Sequence, residues 1–164
     1  MKNKLLYICV FLSALGFSQE SLDDLLKQYN THDVPYISVE ELAMPKTNAI
    51  VLDARERNEF EVSHLKDAIY VGYDHFQLQD ITKQLPDKNK EIVVYCSLGI
   101  RSEVIASKLK NAGYTNVKNL YGGIFEWKNK NFNVYNATQK ETDSVHVFSK
   151  LWSKWLKKGI KVYE

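Results

Sequence analysis

Cysteine is scarce in this chain of 164 residues, which contains only Cys9 and Cys96. An excess of charge of one sign is also lacking, because 22 basic residues are balanced by 20 acidic ones. The apolar run Leu5–Leu15 is too short to span a bilayer, which takes about 20 residues, and no second candidate follows it. Internal repeats and low-complexity tracts are absent as well. The balanced charge argues against a nucleic-acid-binding protein, and the lack of a long apolar run argues against a membrane-spanning one.

The first 18 residues have the pattern of a cleaved secretory signal. Lys2 and Lys4 precede the short apolar core, and Gly16-Phe17-Ser18 supplies small residues ahead of a cut before Gln19. The alternative, a buried N-terminal helix, fits less well because the segment is apolar on every side. We therefore expect an exported protein, periplasmic in a cell with two membranes and otherwise extracellular, with no stable membrane insertion after cleavage.

Cleavage would leave a chain with balanced charge and a single thiol. Loss of Lys2 and Lys4 leaves 20 basic and 20 acidic residues, so no nucleic-acid partner is expected. Cys9 would leave with the signal, and Cys96 would then have no partner for an internal disulfide. A lone cysteine in an exported protein is either a buried, inert thiol or a reactive one.

Short apolar runs alternate with helical patterns along most of the chain. The candidate strands are 36–37, 49–53, 68–71, 91–95 and 116–120, and the candidate helices include 22–29, 76–85, 102–111 and a segment opened by Gly122-Gly123. This alternation predicts an α/β fold with a mostly parallel central sheet flanked by helices on both faces. In such sheets the binding crevice lies beyond the carboxyl ends of the strands.

The pattern divides the chain into four parts. They are the signal peptide 1–18, an N-terminal lead-in helix within 19–34, an α/β domain 35–133, and a C-terminal extension 134–164. In the extension, large apolar side chains recur at helical spacing among lysines, which predicts an amphipathic helix. Those side chains are Val145, Phe148, Trp152 and Trp155. We expect this helix to pack on its own domain, and the alternative is that it docks a protein partner.

The functional interpretation depends on Cys96. This residue follows the apolar run 92–95 and precedes a short loop and a helical pattern. Loop amides, a helix N-terminus and the charge of Arg101 would all favour its thiolate, which is the attacking form of cysteine. We therefore interpret Cys96 as a nucleophile toward sulfur or phosphorus centres. The candidate substrate- and anion-binding loop comprises Ser97, Leu98, Gly99, Ile100, Arg101 and Ser102.

The spacing between Cys96 and Arg101 distinguishes two kinds of chemistry. Four residues separate them, whereas the cysteine-dependent phosphatases have five and hold a tetrahedral phosphate in a wider ring. The tighter ring is better matched to a persulfide sulfur. A phosphatase or arsenate reductase is therefore the less favoured alternative.

Several short matches, taken in order, resemble the rhodanese (sulfurtransferase) family. They are Val51-Leu52-Asp53-Ala54-Arg55 with Glu59-Phe60, His64-Leu65, Ala68-Ile69, Ile92 to Cys96 with Arg101-Ser102, and Ala106, Leu109, Gly113-Tyr114, Val117, Leu120, Gly122-Gly123 and Trp127. Each match alone is weak, but their order and spacing over residues 37–132 are specific.

The resemblance implies a rhodanese-like fold for the domain 35–133 and a cysteine that cycles between thiolate and persulfide. By this resemblance, Cys96 accepts a sulfane sulfur from a small donor and passes it to a thiophilic acceptor. Loop amides would cradle the sulfur, and Arg101 would also pair with a carboxylate. Asp53 and Arg55 would be supporting, structural residues, the first capping the next turn and the second forming a salt bridge near the loop.

Two positions depart from the family pattern. Ser97 and Leu98 stand where an additional basic residue often follows the cysteine, so weak binding of thiosulfate is expected. Asp67 stands where the family usually has glycine, which we expect to be a surface-turn change with little effect on the chemistry.

A rival interpretation assigns no catalysis to the domain. A rhodanese scaffold can serve as a binding module that docks a partner, here through the C-terminal segment. The intact cysteine loop argues against this, because inactive relatives usually lose the cysteine. His32, His75 and His146 are too scattered to form a ligand set, and neither a metal nor another cofactor is expected.

Overall fold

Five parallel strands form the central sheet of the protein. The computed structural model describes residues 21–163, so the predicted signal peptide lies outside the described residues. The strands are β1 Tyr36–Ile37, β2 Ile50–Asp53, β3 Ile69–Tyr70, β4 Ile92–Tyr95 and β5 Val117–Leu120. Their order in the sheet is β1-β5-β4-β2-β3, and every neighbouring pair is parallel. The predicted α/β fold is confirmed.

Six α-helices accompany the sheet in the described part of the chain. They are α1 Leu22–Tyr29, α2 Val39–Leu42, α3 Arg57–Val62, α4 Leu78–Gln84, α5 Arg101–Asn111 and α6 Gly123–Asn129. The Ser38 hydroxyl accepts a hydrogen bond from the Glu41 amide and the Glu41 carboxylate accepts one from the Ser38 amide, which starts α2 with a capping box. Within residues 21–163, no helix has the length and apolar character needed to cross a membrane.

The core lies on both faces of the sheet because successive residues of a strand point to opposite sides. In β4, Ile92 and Val94 join one apolar cluster, with residues of α4 and α5. Val93 and Tyr95 join the other, with residues of α1, α2 and α6. All four are fully buried, which explains why the sequence of this strand is an unbroken apolar run.

Val104 does not face the core from α5. The apolar pattern of residues 102–111 favours an inward position for Val104 together with Ile105, Ala106 and Leu109. The latter three are buried, but Val104 is 40% exposed. Relative to residue 105, residue 106 lies about 100° around the helix in one direction and residue 104 about 100° in the other, which places residue 104 outside the buried stripe.

The prediction of a C-terminal amphipathic helix is wrong. The segment instead contains β6 Val134–Tyr135, β7 Glu141–Thr142, β8 Ser144–His146, a 3₁₀ helix Trp152–Trp155 and β9 Ile160–Val162. β8 pairs in parallel with β9, and Phe148 has a φ of 61°, which a right-handed helix does not contain. The helical spacing of the aromatic residues thus arises from a strand, a sharp turn and a single 3₁₀ turn.

The C-terminal segment is part of the main core. Val145, Val147 and Leu156 are at most 1% exposed, and they belong to the same apolar cluster as Val93 and Tyr95 of the central strand. The segment therefore packs on its own domain. Removing it would expose this cluster, so a deletion of the segment cannot test partner docking separately from folding.

Substitution of Leu156 measures how much this packing stabilises the protein. We expect Leu156→Ala to lower the free energy of unfolding by about 2–5 kcal/mol, because it leaves a cavity in a closed core. Leu151→Ala is the matched control: Leu151 is 68% exposed, and its loss should change stability by no more than about 0.5 kcal/mol. Urea denaturation measures the free energy of unfolding of both variants. Equal losses would contradict the conclusion that Leu156 packs in the core.

The departure at Asp67 lies in an exposed turn before β3. Its φ of 58° falls in the left-handed region, where glycine carries no steric penalty and aspartate is tolerated better than most residues. The turn conformation is therefore retained without the glycine.

Candidate active site

Cys96 lies directly after β4, a strand with neighbours on both sides, at the carboxyl edge of the sheet. The loop that follows ends where α5 begins at Arg101, one residue earlier than predicted. The residue is only 2% exposed, but its side chain borders a cavity of about 120 Å³. The lining residues are Cys96, Ser97, Leu98, Ile100, Arg101, Phe148 and Trp152.

The two loop residues that do not line this cavity contact the sulfur. The Gly99 amide donates a hydrogen bond to the Cys96 Sγ at 3.1 Å. The Ser102 hydroxyl lies 3.5 Å from the same Sγ and 2.7 Å from the Asn119 Oδ1, so its one hydrogen serves two acceptors. Of the six predicted loop residues, four therefore line the cavity beside Cys96 and two contact its sulfur.

The loop is held by hydrogen bonds to its carbonyl groups. The Asn119 and Asn30 side-chain amides donate to the Gly99 carbonyl at 2.8 and 2.9 Å. The Gly99 amide, which belongs to the preceding peptide unit, donates to the sulfur. Asn30 follows α1 and Asn119 belongs to β5, so two distant segments fix one peptide unit.

The start of α6 packs directly against the loop. The Ile124 amide donates to the Cys96 carbonyl at 2.9 Å, and the Phe125 amide donates to the Ser97 carbonyl at 3.2 Å. A Cβ atom at Gly123 would lie 2.2 Å from the Cys96 carbonyl oxygen, at a φ of 54°. Only glycine fits this contact, which explains the Gly122-Gly123 pair as a packing turn.

Arg101 forms a two-pronged ion pair with Glu59 of α3. The Arg101 Nη1 lies 2.6 Å from the Glu59 Oε2, and the Nη2 lies 2.7 Å from the Oε1. Burial of the Glu59 carboxyl would raise its pKa, but the hydrogen bonds and charge of Arg101 outweigh burial and lower it. A carboxylate partner for Arg101 was expected, and the structure identifies it as Glu59. The family resemblance includes Glu59, but nothing in the sequence indicated that it pairs with Arg101.

The same guanidinium acts on the thiol. Burial would raise the pKa of Cys96, but the charge of Arg101, the Ser102 hydrogen bonds and the Gly99 amide together lower it below its ordinary value. Cys96 also precedes the N-terminus of α5, where the helix dipole favours negative charge. The site therefore favours a thiolate.

Substitutions at Arg101 and Glu59 should move the thiol pKa in opposite directions. Alkylation requires the thiolate, so its rate rises as the pH rises through the thiol pKa. We expect Arg101→Ala to displace this profile to higher pH, because the favourable charge is lost. Glu59→Gln should displace it to lower pH, because the Arg101 charge is no longer neutralised. Iodoacetamide rates across pH measure both.

Two further variants keep this test decisive. Arg101→Ala leaves the Glu59 side chain, which is 1% exposed, without its cation, and the double variant with Glu59→Gln removes that buried charge. Arg57→Ala removes an exposed arginine that lies over Tyr70 and should leave the profile unchanged. Identical profiles for the wild type and Arg101→Ala would remove Arg101 from thiol activation.

Asp53 and Arg55 lie outside the cavity. The Arg55 Nη2 lies 2.6 Å from the Asp53 Oδ2, and the Asp53 Oδ1 accepts a hydrogen bond from the Arg55 amide at 3.0 Å. Asp53 thus caps the turn, and it is also the salt-bridge partner of Arg55, which the resemblance did not name. The Arg55 Nη2 also donates to the Ser63 carbonyl, and the Tyr95 hydroxyl donates to Asp53. These bonds connect the ends of β2 and β4 to the segment after α3.

Sequence reasoning missed two residues of the site, Phe148 and Trp152. Both come from the C-terminal segment and line the cavity beside Cys96. The Phe148 ring centre lies 4.8 Å from the Arg101 Cζ, a cation–π contact. No local signal marked either residue, because their place in the site depends on how the segment folds back over the loop.

Comparison with known families agrees with this geometry. The family model described as the Rhodanese-like domain matches residues 38–130, which is more than half of the chain. The chain belongs to the rhodanese-like family.

Curated relatives match over part of their length. The chain is 40% identical over 87 residues to the adenylyltransferase and sulfurtransferase UBA4 of Candida albicans, a match covering 50% of this chain and 20% of that protein. It is 32% identical over 116 residues to the tRNA uridine(34) hydroxylase of Aster yellows witches'-broom phytoplasma, covering 69% and 37%. The chain thus spans well under half the length of these relatives.

Solved structures show the same fold. A thiosulfate sulfurtransferase from Pseudomonas aeruginosa matches with a TM-score of 0.58 and 22% identity, over 75% of this chain and 23% of that chain. A rhodanese-related protein from Thermoplasma volcanium matches with a TM-score of 0.54 and 26% identity, over 61% and 96%.

Proposed function

We propose that this protein is a sulfurtransferase or persulfide carrier in which Cys96 is the nucleophile. The observation that carries the proposal is the setting of the sulfur: the Gly99 amide donates to it, Arg101 lies beside it, and its thiolate is favoured. Membership of the rhodanese-like family supports it. Relatives named as sulfurtransferases support it too, but the chain covers only part of them.

The proposed reaction has two displacements at sulfur. The Cys96 thiolate attacks the sulfane sulfur of a donor, an S–S bond forms, and the donor's bond to that sulfur breaks as the leaving group departs with the electron pair. A thiophilic acceptor then attacks the outer sulfur of the persulfide and returns Cys96 as a thiolate. Neither step transfers a proton, so no histidine base is required.

Mass spectrometry of the intact protein tests this proposal. After incubation with a sulfane-sulfur donor, we expect the full chain to gain the mass of one sulfur atom and to lose it on treatment with cyanide or a thiol. If no donor adds sulfur while Cys96 in the folded protein is still alkylated, the sulfurtransferase proposal fails. The rhodanese scaffold as a non-catalytic binding module is then favoured.

We propose further that the protein is exported. The support is the sequence of residues 1–18 alone, with a basic start, a short apolar core and small residues before the cut. The mass of the protein recovered from the periplasmic or extracellular fraction should correspond to a chain beginning at Gln19. Recovery of the whole chain from Met1 in the cytoplasm would contradict export.

A further inference from the structure

The C-terminal segment supplies an aromatic border to the cysteine cavity. Phe148 and Trp152 line it together with the loop residues Leu98 and Ile100. Phe148 and Trp152 lie beyond position 130, where the match to the family model ends. The feature therefore belongs to this chain's own extension and not to the matched domain.

Phe148 is held in an unfavourable conformation at this border. Its φ of 61° is uncommon for any residue but glycine, and the Ser149 amide donates to the Val147 carbonyl across it, which closes a three-residue turn. The ring is nevertheless 50% exposed and lies over Arg101. An exposed aromatic ring kept in a strained turn beside a nucleophile points to a role at the site.

The charge around the sulfur is unsuited to a dianion. Both Nη atoms of Arg101 are bonded to Glu59, so the pair offsets part of the charge that Arg101 presents to the sulfur. A second carboxyl group, that of Glu103, lies beneath the loop and is 3% exposed. Its Oε2 accepts a hydrogen bond at 3.0 Å from Asn119, which also holds the loop. Arg55 also acts on Glu59, but its charge is paired with that of Asp53. With the Cys96 thiolate added, the negative groups around the loop outnumber the positive ones.

We propose that Phe148 and Trp152 make the Cys96 cavity selective for organic sulfane-sulfur donors that carry an aryl or alkyl group and at most one negative charge. This inference rests on the proposed persulfide chemistry of Cys96. The donor's apolar group packs against Phe148 and Trp152 while its sulfane sulfur reaches the thiolate. The cavity of about 120 Å³ is smaller than one of about 150 Å³ that holds benzene, so an aryl group would enter it in part and extend past Phe148 toward solvent.

Three sulfur donors distinguish the effect of the aromatic contact on the rate from the effect of the donor's charge. Benzenethiosulfonate and methanethiosulfonate are both monoanions with a sulfinate leaving group, and thiosulfate is a dianion that leaves sulfite. In each case the thiolate bonds to the sulfane sulfur, the bond to the second sulfur breaks, and the leaving group takes the electron pair. Rates of sulfur addition to Cys96 are measured by intact mass and divided by the rates for free cysteine with the same donors.

The wild-type protein should prefer benzenethiosulfonate over methanethiosulfonate by about three- to tenfold, which is what one aromatic contact contributes. Thiosulfate should be the slowest of the three. In Phe148→Ala the ratio of the two normalised rates should fall toward about one, which is the value for free cysteine. Leu151→Ala, which removes an exposed side chain of the same segment outside the cavity, should keep the wild-type preference.

Phe148→Gly is the second variant, because glycine adopts a φ of 61° without strain and should fold at least as readily as alanine here. An aryl preference that persists in both Phe148 variants would overturn the inference, as would thiosulfate exceeding both monoanions. Failure of all three donors to modify an alkylatable Cys96 would instead overturn the proposed function.

Discussion

Cys96→Ser is expected to abolish sulfur addition completely and to leave the protein folded. A serine hydroxyl stays protonated where the thiol ionises, and an alcohol does not form a stable persulfide analogue. The replacement is small, and its oxygen can still accept the Gly99 amide hydrogen bond that now goes to the sulfur. Stability should therefore change by no more than about 1 kcal/mol. Intact mass after donor treatment and urea denaturation measure the two effects.

Cys9→Ser is the matched control for this experiment. It removes the chain's other cysteine, which lies within the predicted signal peptide, and should leave sulfur addition at the wild-type level. Sulfur that is still added to folded Cys96→Ser would place the nucleophile elsewhere. Loss of addition in Cys9→Ser as well would show that the assay does not report on Cys96 alone.

Breaking the Asp53–Arg55 pair is expected to give the largest loss of stability among single substitutions. Both side chains are 0% exposed, and Arg55→Met would leave the Asp53 carboxylate buried without its cation. Removing one partner of a buried ion pair costs about 3–5 kcal/mol, a large part of the total stability of a domain. Thermal or urea denaturation of the variant gives the value.

An exposed pair provides the control for this prediction. Lys83→Met removes the partner of Asp80, a pair at 4.0 Å whose side chains are 77% and 73% exposed, and should cost no more than about 0.5 kcal/mol. The double variant Asp53→Asn with Arg55→Met removes both charges and should recover part of the loss. A cost below about 1 kcal/mol for Arg55→Met would contradict the structural role.

The pH profile of Cys96 alkylation distinguishes a residue that supports the fold from one that activates the thiol. Asp53 and Arg55 do not line the cavity beside Cys96. The folded fraction of Arg55→Met should therefore keep the wild-type pH profile of Cys96 alkylation, whereas Arg101→Ala should not. A displaced profile in Arg55→Met would assign this pair a part in activating the thiol.

Predictions that rest on neighbouring residues were confirmed. The helix over 22–29 and the buried strand before Cys96 both arise from patterns within one element. The pairing of Asp53 with Arg55 is also local in the sequence, since a single position separates the two residues, but only the structure shows it. Local hydrogen-bonding and apolar periodicity contain the information for such features.

The C-terminal segment shows where local patterns fail. Val145, Phe148 and Trp152 recur at a helical interval, yet Val145 lies in β8 and pairs in register with Lys161 of β9. A parallel pairing of this kind depends on residues 16 positions apart, and its hydrogen bonds compete with those of a helix. The tertiary contacts of Val145 and Val147 with the core decide between the two.

By itself, the sequence determined the α/β fold, the placement of Cys96 at a strand end and the loop that runs to Arg101. Each of these features depends on residues that are close together in the sequence. Only the tertiary structure decided that Glu59, 42 positions before Arg101, neutralises its charge, and that Phe148 and Trp152 border the cavity. Such pairs form because folding buries distant side chains together, and no spacing within the sequence encodes which of them meet.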